Sequence, residues 1–420
     1  MYYDYIKMVN GMRKIELLVP AGSPEVLRVA VDYGADAVYI GGESFGLRAK
    51  AHNFTIQEME EAAVYCHERG VRLYVTANIF AHNDDLAGIR TYFERLKTVG
   101  IDALIISDPA VFMLAKEILP EVDLHVSTQA NNTNYGIYRF WYELGASRVV
   151  SARELSLREI KEIRQHIPED MEIESFVHGA MCISYSGRCL LSHFLTGRDA
   201  NQGACTHPCR WKYSVVEEKR PGEYFPVEED ERGTYIFNSK DLCMIEYIPE
   251  LVDAGIDSFK IEGRMKTALY AATVARTYRK AIDDFNRDPE LYRSNLAYYR
   301  EEIGKCTYRQ FTTGFYFGKT DSESQVYDSN EYVKDYTYIG TVEAVDEKGF
   351  LRFIQRNKFS VGECIEAMHF DGSNEMLTVR TILNEKMESV ESAPHPKETL
   401  AVDLGTPLPC GTVLRRKAVE

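Results

Sequence analysis

The sequence has no run of about eighteen apolar residues, the length that a membrane-spanning helix needs, so we expect no membrane span. Its first fourteen residues, MYYDYIKMVNGMRK, lack the apolar stretch of a secretory signal. Both absences predict a cytoplasmic protein, and cytoplasmic thiols stay reduced. The nine cysteines are therefore not expected to form a disulfide framework.

Positive charge is also scarce. The chain has 49 Lys and Arg against 64 Asp and Glu, a formal net charge of -15. Because attraction to phosphates scales with positive charge, this argues against indiscriminate nucleic-acid binding. Residues 182–212 differ, with four basic residues against one acidic residue, about +3. This segment is either a local basic face or ordinary variation in surface charge.

Motifs of proteolysis are few. The HExxH pair of a zinc peptidase is absent, and a GxSxG pattern occurs at residues 42–46, with Ser44 as its serine. A nucleophilic serine in that pattern needs a strand before it and a helix after it. Residues 47–53, LRAKAHN, are typical of a loop. The simpler interpretation is that these glycines let the backbone approach a ligand.

Alternating β-branched runs and amphipathic stretches fill residues 15–290. We predict eight strands, at residues 16–20, 37–40, 72–77, 103–107, 123–127, 148–151, 172–178 and 258–263. Helical patterns lie between most of them, and several of these patterns end in a glycine before the next strand. Eight such units predict a (β/α)8 TIM-like barrel rather than an open doubly wound sheet.

Changes in this pattern predict the remaining boundaries. Residues 1–14 are an N-terminal tail, and residues 180–257 are a cysteine-rich insertion after the seventh strand. Residues 291–328 are a helical linker. Short alternating strands in residues 329–420 predict a small C-terminal all-β barrel. Because loops that follow barrel strands lie at the catalytic face, the insertion is expected at the barrel mouth.

The insertion contains the densest group of cysteines in the chain. Cys182, Cys189, Cys205 and Cys209 are separated by six, fifteen and three residues. Four thiolates are the usual ligand number of both tetrahedral zinc and an iron–sulfur cubane. The wide spacings differ from the CxxC knuckles of structural zinc sites, which favours a 4Fe-4S cluster. Zinc and free thiols remain the alternatives, and Cys243 is the substitute for a fourth ligand.

Residues 174–192, ESFVHGAMCISYSGRCLLS, resemble the signature of the collagenase-like peptidase family. Residues 196–212, TGRDANQGACTHPCRWK, are similar to the prephenate-dependent tRNA-hydroxylation branch of that family. The same holds for residues 238–242, NSKDL, and 260–264, KIEGR. The resemblance extends from residues 16–22, ELLVPAG, into the C-terminal β domain, so it covers nearly the whole chain.

The resemblance implies that the protein makes 5-hydroxyuridine at the wobble position of tRNA. In that branch the hydroxyl is linked to prephenate rather than to molecular oxygen, and the cysteines are thought to hold a 4Fe-4S cluster. By position, Cys182, Cys189 and Cys205 match ligands used across branches. The fourth ligand differs between branches, so Cys209 is the candidate here and Cys243 is held in reserve. The family name implies proteolysis instead.

Polar residues that follow predicted strands are candidate substrate ligands. The planar fork of arginine suits carboxylates such as the two of prephenate, which selects Arg48, Arg153 and Arg264. Asn78 and Gln129, also at strand ends, are candidates to bind the polar edge of uridine. All five are expected to converge on the barrel mouth.

Side-chain alternation predicts which residues face the barrel lumen. Glu174, His178, Lys260 and Glu262 are expected to point inward. A buried charge must be paired, so Lys260 is expected to pair with Glu174 or Glu16. His178 and Glu262 are nearer the mouth and are the candidate catalytic residues, through substrate contact or proton transfer.

Recognition of unpaired RNA favours aromatic faces beside basic side chains. Tyr185, Trp211, Phe315 and Tyr316 are the candidates for stacking. The sequence as a whole predicts a tRNA uridine 5-hydroxylase whose partners are tRNA, prephenate and an electron donor that the sequence does not identify. The alternatives are a collagenase-like peptidase and a non-catalytic RNA-binding protein.

Overall fold

The computed structural model describes residues 14–43, 45, 53–182, 185, 188–198, 200, 204–211, 214–215, 225–226, 238–318, 325–326 and 333–418. Apart from Lys14, the predicted N-terminal tail lies outside these residues. Within the described part of the chain, no helix combines the length and the apolar character that crossing a membrane requires.

Eight parallel strands form a closed barrel, as predicted. With strands numbered along the chain, they are β1 (Glu16–Pro20), β2 (Ala37–Gly41), β3 (Arg72–Ala77), β4 (Ala103–Ile106), β5 (Asp123–Val126), β6 (Arg148–Val150), β7 (Glu172–Ala180) and β12 (Ser258–Ile261). Strand β12 pairs with both β7 and β1, which closes the sheet. The mouth of the barrel is the end formed by the carboxyl ends of these strands.

Helices cover the outside of the barrel. They are α1 (Pro24–Asp32), α2 (Ile56–His67), α3 (Asn83–Leu96), α4 (Pro109–Ile118), α5 (Tyr135–Leu144), α6 (Leu157–His166), α8 (Ile248–Asp253) and α9 (Ala268–Arg287). Capping boxes at Thr55 and Ser156 fix the first turns of α2 and α6. Gly145, at a φ of 101°, ends α5 in the left-handed conformation that favours glycine.

A buried ion cluster lies in the barrel lumen near the end opposite the mouth. Arg148 is 1% exposed, and its guanidinium lies 2.5 Å from a carboxylate oxygen of Glu16 and 3.1 Å from one of Glu174. The Lys260 ammonium lies 2.6 Å from the other oxygen of Glu174. The predicted pairing of Lys260 with Glu174 is confirmed. Arg148, which links the two carboxylates, was not predicted.

The insertion leaves the barrel after β7 and returns beside it. Its elements are helix α7 (Leu191–Thr196), the short strands β8 (Ser214–Val215), β9 (Phe225–Pro226) and β10 (Asn238–Ser239), and strand β11 (Asp241–Cys243). Strand β11 pairs antiparallel with the end of β7, with Cys243 opposite His178. The two ends of the insertion are therefore hydrogen-bonded to each other at the mouth.

After α9 come α10 (Pro289–Ser294), α11 (Leu296–Ile303), β13 (Phe311–Thr312), which extends the barrel sheet beside β11, and β14 (Gln325–Val326). The C-terminal region is all-β, as predicted. Its strands are β15 (Tyr336–Thr341), β16 (Ala344–Val345), β17 (Leu351–Ile354), β18 (Phe359–Ser360), β19 (Cys364–Met368), β20 (Asn374–Thr378), β21 (Thr381–Leu383), β22 (Ser389–Val390), β23 (Ser392–Ala393), β24 (Thr399–Asp403) and β25 (Val413–Lys417). They form three sheets around one hydrophobic core.

Polar contacts join the C-terminal region to the barrel helices. The buried carboxylate of Glu302 on α11 lies 2.8 Å from Arg276 on α9 and 2.9 Å from Arg415 on β25. The Tyr33 hydroxyl, just after α1, donates to the carbonyl oxygen of Met368 at 2.7 Å and accepts from the backbone N–H of Val413 at 2.9 Å.

Candidate active site

The segment that follows β12 lies at the barrel mouth because two glycines let it approach the wall closely. A side chain at Gly179 would place its Cβ 2.2 Å from the carbonyl oxygen of Glu262. A side chain at Gly22 would place its Cβ 2.1 Å from that of Arg264. Gly179 also has a φ of 106°, which favours glycine. These glycines therefore fix the backbone that presents Glu262 and Arg264.

Arg264 is a buried cation at the mouth without a carboxylate partner among the described residues. Its guanidinium donates to Thr76 Oγ1 at 2.9 Å, and its nitrogen would lie 2.4 Å from a Cβ at Gly41. Burial lowers the pKa of Arg264 to about 10. A buried, unpaired guanidinium is costly, and a bound carboxylate would relieve that cost. Thr76 and Gly41 were not predicted as part of this site.

Arg153 and Glu262 face each other beside Tyr39. A guanidinium nitrogen of Arg153 lies 3.7 Å from Glu262 Oε2, and the Tyr39 hydroxyl lies 3.5 Å from the same oxygen. Arg153 also donates to the Ala180 carbonyl at 2.8 Å. Burial lowers the pKa of Arg153, and Cys182 is close enough to oppose that shift. The candidate arginine, the candidate carboxylate and the first cysteine are thus neighbours.

Amide side chains surround Ser127 at the end of β5. Asn78 donates to Ser127 Oγ at 3.3 Å, and Asn132 donates to the Ser127 carbonyl at 3.0 Å and to the Val150 carbonyl at 2.9 Å. Within the described chain, the buried amide oxygens of Asn78, Gln129 and Asn132 have no hydrogen-bond partner. They are acceptors available to N–H groups of a ligand. Asn132 was not predicted, because the candidate substrate ligands were chosen among residues at strand ends and Asn132 lies further along the chain.

His178 does not point into the lumen, and the predicted inward orientation is wrong. The pairing of β7 with β12 shifts between Lys260 and Ile261, which breaks the simple alternation. The ring lies 5.6 Å from that of Tyr278 and 5.9 Å from that of Tyr270, both on α9. Burial, with a smaller effect of Lys266, lowers the pKa of His178 to about 3. It is a neutral, packed ring, and its catalytic function stays a prediction.

The cysteine group combines exposed and partly buried thiols. Cys182 and Cys205 are exposed, and Cys189 and Cys209 are partly buried. His207, at a φ of 54°, donates its backbone N–H to Cys205 Sγ at 3.4 Å, a contact that stabilises a thiolate.

Four soft, reduced donors at a barrel mouth fit a thiolate-bound metal or cluster in their chemistry. Their present positions do not form a metal site, since no three His, Cys, Asp or Glu side chains among the described residues could hold a metal ion. A 4Fe-4S cluster and zinc both stay predictions.

Cys243, the substitute ligand, lies in a different environment. It sits on β11, and burial raises the pKa of its thiol to about 12. A bound metal would itself deprotonate a coordinating thiol, so this pKa does not decide between Cys209 and Cys243. The identity of the fourth ligand stays a prediction.

Arg188 holds part of the insertion over the mouth. Its guanidinium lies 5.0 Å from the ring centroid of Phe80, after β3. When the side-chain amide of Asn131 is oriented with its oxygen toward Arg188, that oxygen accepts hydrogen bonds from two Arg188 nitrogens at 2.6 and 2.9 Å. Because Asn131 follows β5, this arginine connects the cysteine segment to two strand ends.

The four aromatic candidates divide into two pairs. Tyr185 and Trp211 are each 47% exposed. The buried Tyr316 donates its hydroxyl to the Phe176 carbonyl at 2.5 Å, and Phe315 is partly buried against the barrel core. Only the first pair presents aromatic surface to a partner. The candidate Arg48 and the GxSxG serine Ser44 lie outside the described residues.

Comparison with known families supports this architecture. The family model described as Peptidase family U32 matches residues 22–326, and that of the Peptidase family U32 C-terminal domain matches residues 334–415. The chain belongs to peptidase family U32. The resemblance in its cysteine segment is thereby confirmed at the level of the family.

Several U32 relatives are named for RNA modification. "tRNA hydroxylation protein P1" of Bacillus subtilis is 39% identical, with 97% of each chain covered. "tRNA hydroxylation protein P" of Escherichia coli is 40% identical over 91% of this chain and 92% of its own. "23S rRNA 5-hydroxycytidine C2501 synthase" of Escherichia coli is 36% identical over 66% of this chain and 40% of its own.

Proposed function

We propose that this U32 protein hydroxylates uridine at the wobble position of tRNA to 5-hydroxyuridine, with prephenate rather than molecular oxygen supplying the hydroxyl. The observation that carries the proposal is the buried guanidinium of Arg264, which has no carboxylate partner among the described residues. The near full-length relatives named for tRNA hydroxylation support the RNA substrate.

Two arginines supply the binding chemistry for a dicarboxylate. Arg264 forms a fork–fork pair with one carboxylate, and Arg153, already 3.7 Å from Glu262, accommodates the second. Each contact is strong because the mouth excludes water from both guanidinium groups, which are almost fully buried. Prephenate is then held with its hydroxyl between the arginines and the amide cluster.

The unpaired amide oxygens bind the base. Uracil presents a donor at N3–H, which Gln129 or Asn78 accepts, and no described donor there competes for the same oxygens. Replacing the C5–H bond by C5–OH is a two-electron oxidation of the base: the hydrogen leaves C5 as a proton, and the two electrons reduce prephenate as its C–O bond breaks. Glu262, buried beside Arg153 and Tyr39, is the proposed acceptor of that proton.

Cys182, Cys189, Cys205 and Cys209 are the proposed ligands of a 4Fe-4S cluster, which when bound would supply one-electron transfer within the site. Arg153 contributes to this part of the site, because Cys182 is near enough to act on its pKa. A cation beside a thiolate stabilises the thiolate and so favours metal binding.

Peptidase activity is the alternative that the family name raises. The one described cysteine opposite a histidine in the barrel sheet is Cys243, beside His178. Burial raises the pKa of that thiol to about 12 and lowers that of the imidazole to about 3. A thiolate–imidazolium pair needs the opposite shifts, so this pair does not supply a nucleophile.

Mass spectrometry of tRNA nucleosides tests the proposal. In a strain that lacks this protein and any paralogue, hydroxyuridine derivatives should disappear and return with the wild-type gene. They should not return with Cys182→Ala, whereas Cys364→Ala, which changes an exposed cysteine of the C-terminal region, should restore them. They should persist in anaerobic growth and vanish in a strain unable to make prephenate.

Iron and sulfide analysis of anaerobically purified protein tests the cofactor separately. Wild type and Cys364→Ala should contain both, and Cys182→Ala should lose both. Stoichiometric zinc in a colourless protein would contradict the redox mechanism, and an unchanged nucleoside profile after deletion would contradict the function itself. Cleavage of gelatin that depends on Ser44 would favour the peptidase.

A further inference from the structure

We propose that helix α7 and Trp211 form a stacking surface for unpaired nucleotides next to the one that enters the barrel. We call this surface the α7 platform, defined by Leu190, Phe194, Leu195 and Trp211. The inference rests on the proposed function, since it assigns the surface that holds the RNA loop while the barrel holds one base.

The first argument is the exposure of large apolar side chains. Phe194 is 84% exposed and Leu190 is 64% exposed. Five of the sixteen large exposed hydrophobic side chains that the structure describes lie within residues 185–211. Scattered exposed apolar residues are normal, but a concentration of them marks an interaction surface.

The second argument is that polar contacts hold α7 in this orientation. Thr206 donates its backbone N–H to Ser192 Oγ at 3.1 Å, and the two hydroxyls lie 3.1 Å apart. The Thr196 hydroxyl bonds the Ser192 carbonyl at 2.7 Å. The helix therefore faces its small hydroxyl side chains inward, against Thr206, while Phe194 and Leu195 face solvent. This is the reverse of a helix that packs on its own core.

Charge favours RNA over a protein partner on the α7 platform. The surrounding residues 182–212 have four basic residues and one acidic residue in a chain with a net charge of -15. Local positive charge beside exposed aromatic rings is the combination that binds single-stranded nucleic acid. Phe194 and Trp211 offer the rings, and Arg188 and Arg198 are described cations on the same segment.

The α7 platform is continuous with the barrel mouth. Arg188, two residues before Leu190, contacts Phe80 after β3 and Asn131 after β5. If one nucleotide enters the mouth near Asn78 and Gln129, the nucleotides next to it in the RNA would lie over the α7 platform. Because every base has a π-face, stacking there would hold the loop without selecting its sequence.

Intrinsic fluorescence tests contact with the platform directly. The chain has two tryptophans, and Trp141 is 5% exposed whereas Trp211 is 47% exposed. Titration of the full-length protein with an RNA hairpin that has an unpaired, uridine-containing loop should quench the fluorescence of Trp211. Trp211→Phe should abolish the quenching. A fully paired duplex of the same composition should quench far less, and equal quenching by the duplex would contradict the proposal.

Affinity for the same hairpin gives a second, independent measurement. Phe194→Ala should weaken binding about tenfold, as expected for the loss of one stacked base. The matched control is Phe140→Ala, which removes a ring that is 51% exposed on α5 and should leave affinity unchanged. Equal affinities for the two variants would overturn the platform, as would a dimer that Phe194→Ala dissociates.

These readouts need no hydroxylation. If the hairpin binds through Phe194 but tRNA nucleosides are unchanged in the deletion strain, the proposed chemistry fails and the platform stands. If nucleosides change but Phe194→Ala binds normally, the platform fails alone.

Discussion

At the scale of single residues, the informative feature is a charge without a partner. The carboxylates in the barrel lumen neutralise Arg148 and Lys260, but Arg264 at the mouth forms no ion pair with a described carboxylate. A protein keeps such a residue at a cost in stability, and active sites are where that cost recurs. We therefore propose that Arg264 serves ligand binding rather than folding.

The substitution Arg264→Met should distinguish a function of Arg264 in ligand binding from a function in folding. We expect hydroxyuridine formation to be lost, because methionine cannot bind a carboxylate. The free energy of unfolding should stay within about 1 kcal/mol of wild type or rise, because an unpaired buried charge is removed. Urea denaturation and nucleoside analysis measure the two effects. A variant that unfolds while residual activity per folded molecule is normal would show that Arg264 is structural.

The sequence located Arg264 and Glu262 correctly at the mouth because position after a barrel strand is encoded by the order of strands alone. It failed for His178, because the shift in pairing beside Ile261 depends on how two distant strands meet. Alternation is reliable only within a regular strand.

At the scale of elements, the barrel strands carry the ion cluster at the end away from the site. Arg148 opens β6, Glu16 opens β1, and Glu174 lies in β7. The strand boundaries were predictable from β-branched runs and the glycines that follow helices. The ion pairs by which one arginine bridges three strands were not predictable, because they depend on the register of those strands relative to one another.

Arg148→Met should destabilise the barrel strongly. It leaves the buried carboxylates of Glu16 and Glu174 without their shared guanidinium, which costs about 3–5 kcal/mol. Arg90→Met is the control, since the pair of Arg90 with Glu117 is exposed, and the urea midpoint of this variant should stay close to that of wild type. Urea denaturation compares them, and equal losses would contradict the structural assignment of the cluster.

At the scale of the whole molecule, the described C-terminal region is joined to the barrel through charges. Burial alone would raise the pKa of Glu302, but Arg415, Lys305 and Arg276 lower it to about 2, from an ordinary value of 4.5. The ionised carboxylate is thus favoured in the folded state. The sequence predicted an all-β C-terminal region but not this junction, because its members come from three distant segments.

Glu302→Gln should therefore lower stability in a pH-dependent way. A depressed carboxyl pKa stabilises the fold above about pH 4.5, and this contribution is lost as the pH falls toward 2. The difference in urea midpoint between wild type and variant should be largest near neutral pH and should shrink in acid. Glu117→Gln, at an exposed carboxylate, should show no comparable difference. A constant difference across this range would contradict the ionised junction.

The hydrogen bond of the Tyr33 hydroxyl has a consequence for the order in which the protein folds. The hydroxyl bonds the backbone of Val413, which is 380 residues further along the chain. During synthesis, domains generally form from the N-terminus onward. The hydrogen bond between Tyr33 and Val413 therefore cannot form until most of the polypeptide has been made. While the barrel is being made, the Tyr33 hydroxyl lacks the backbone partner that β25 later supplies.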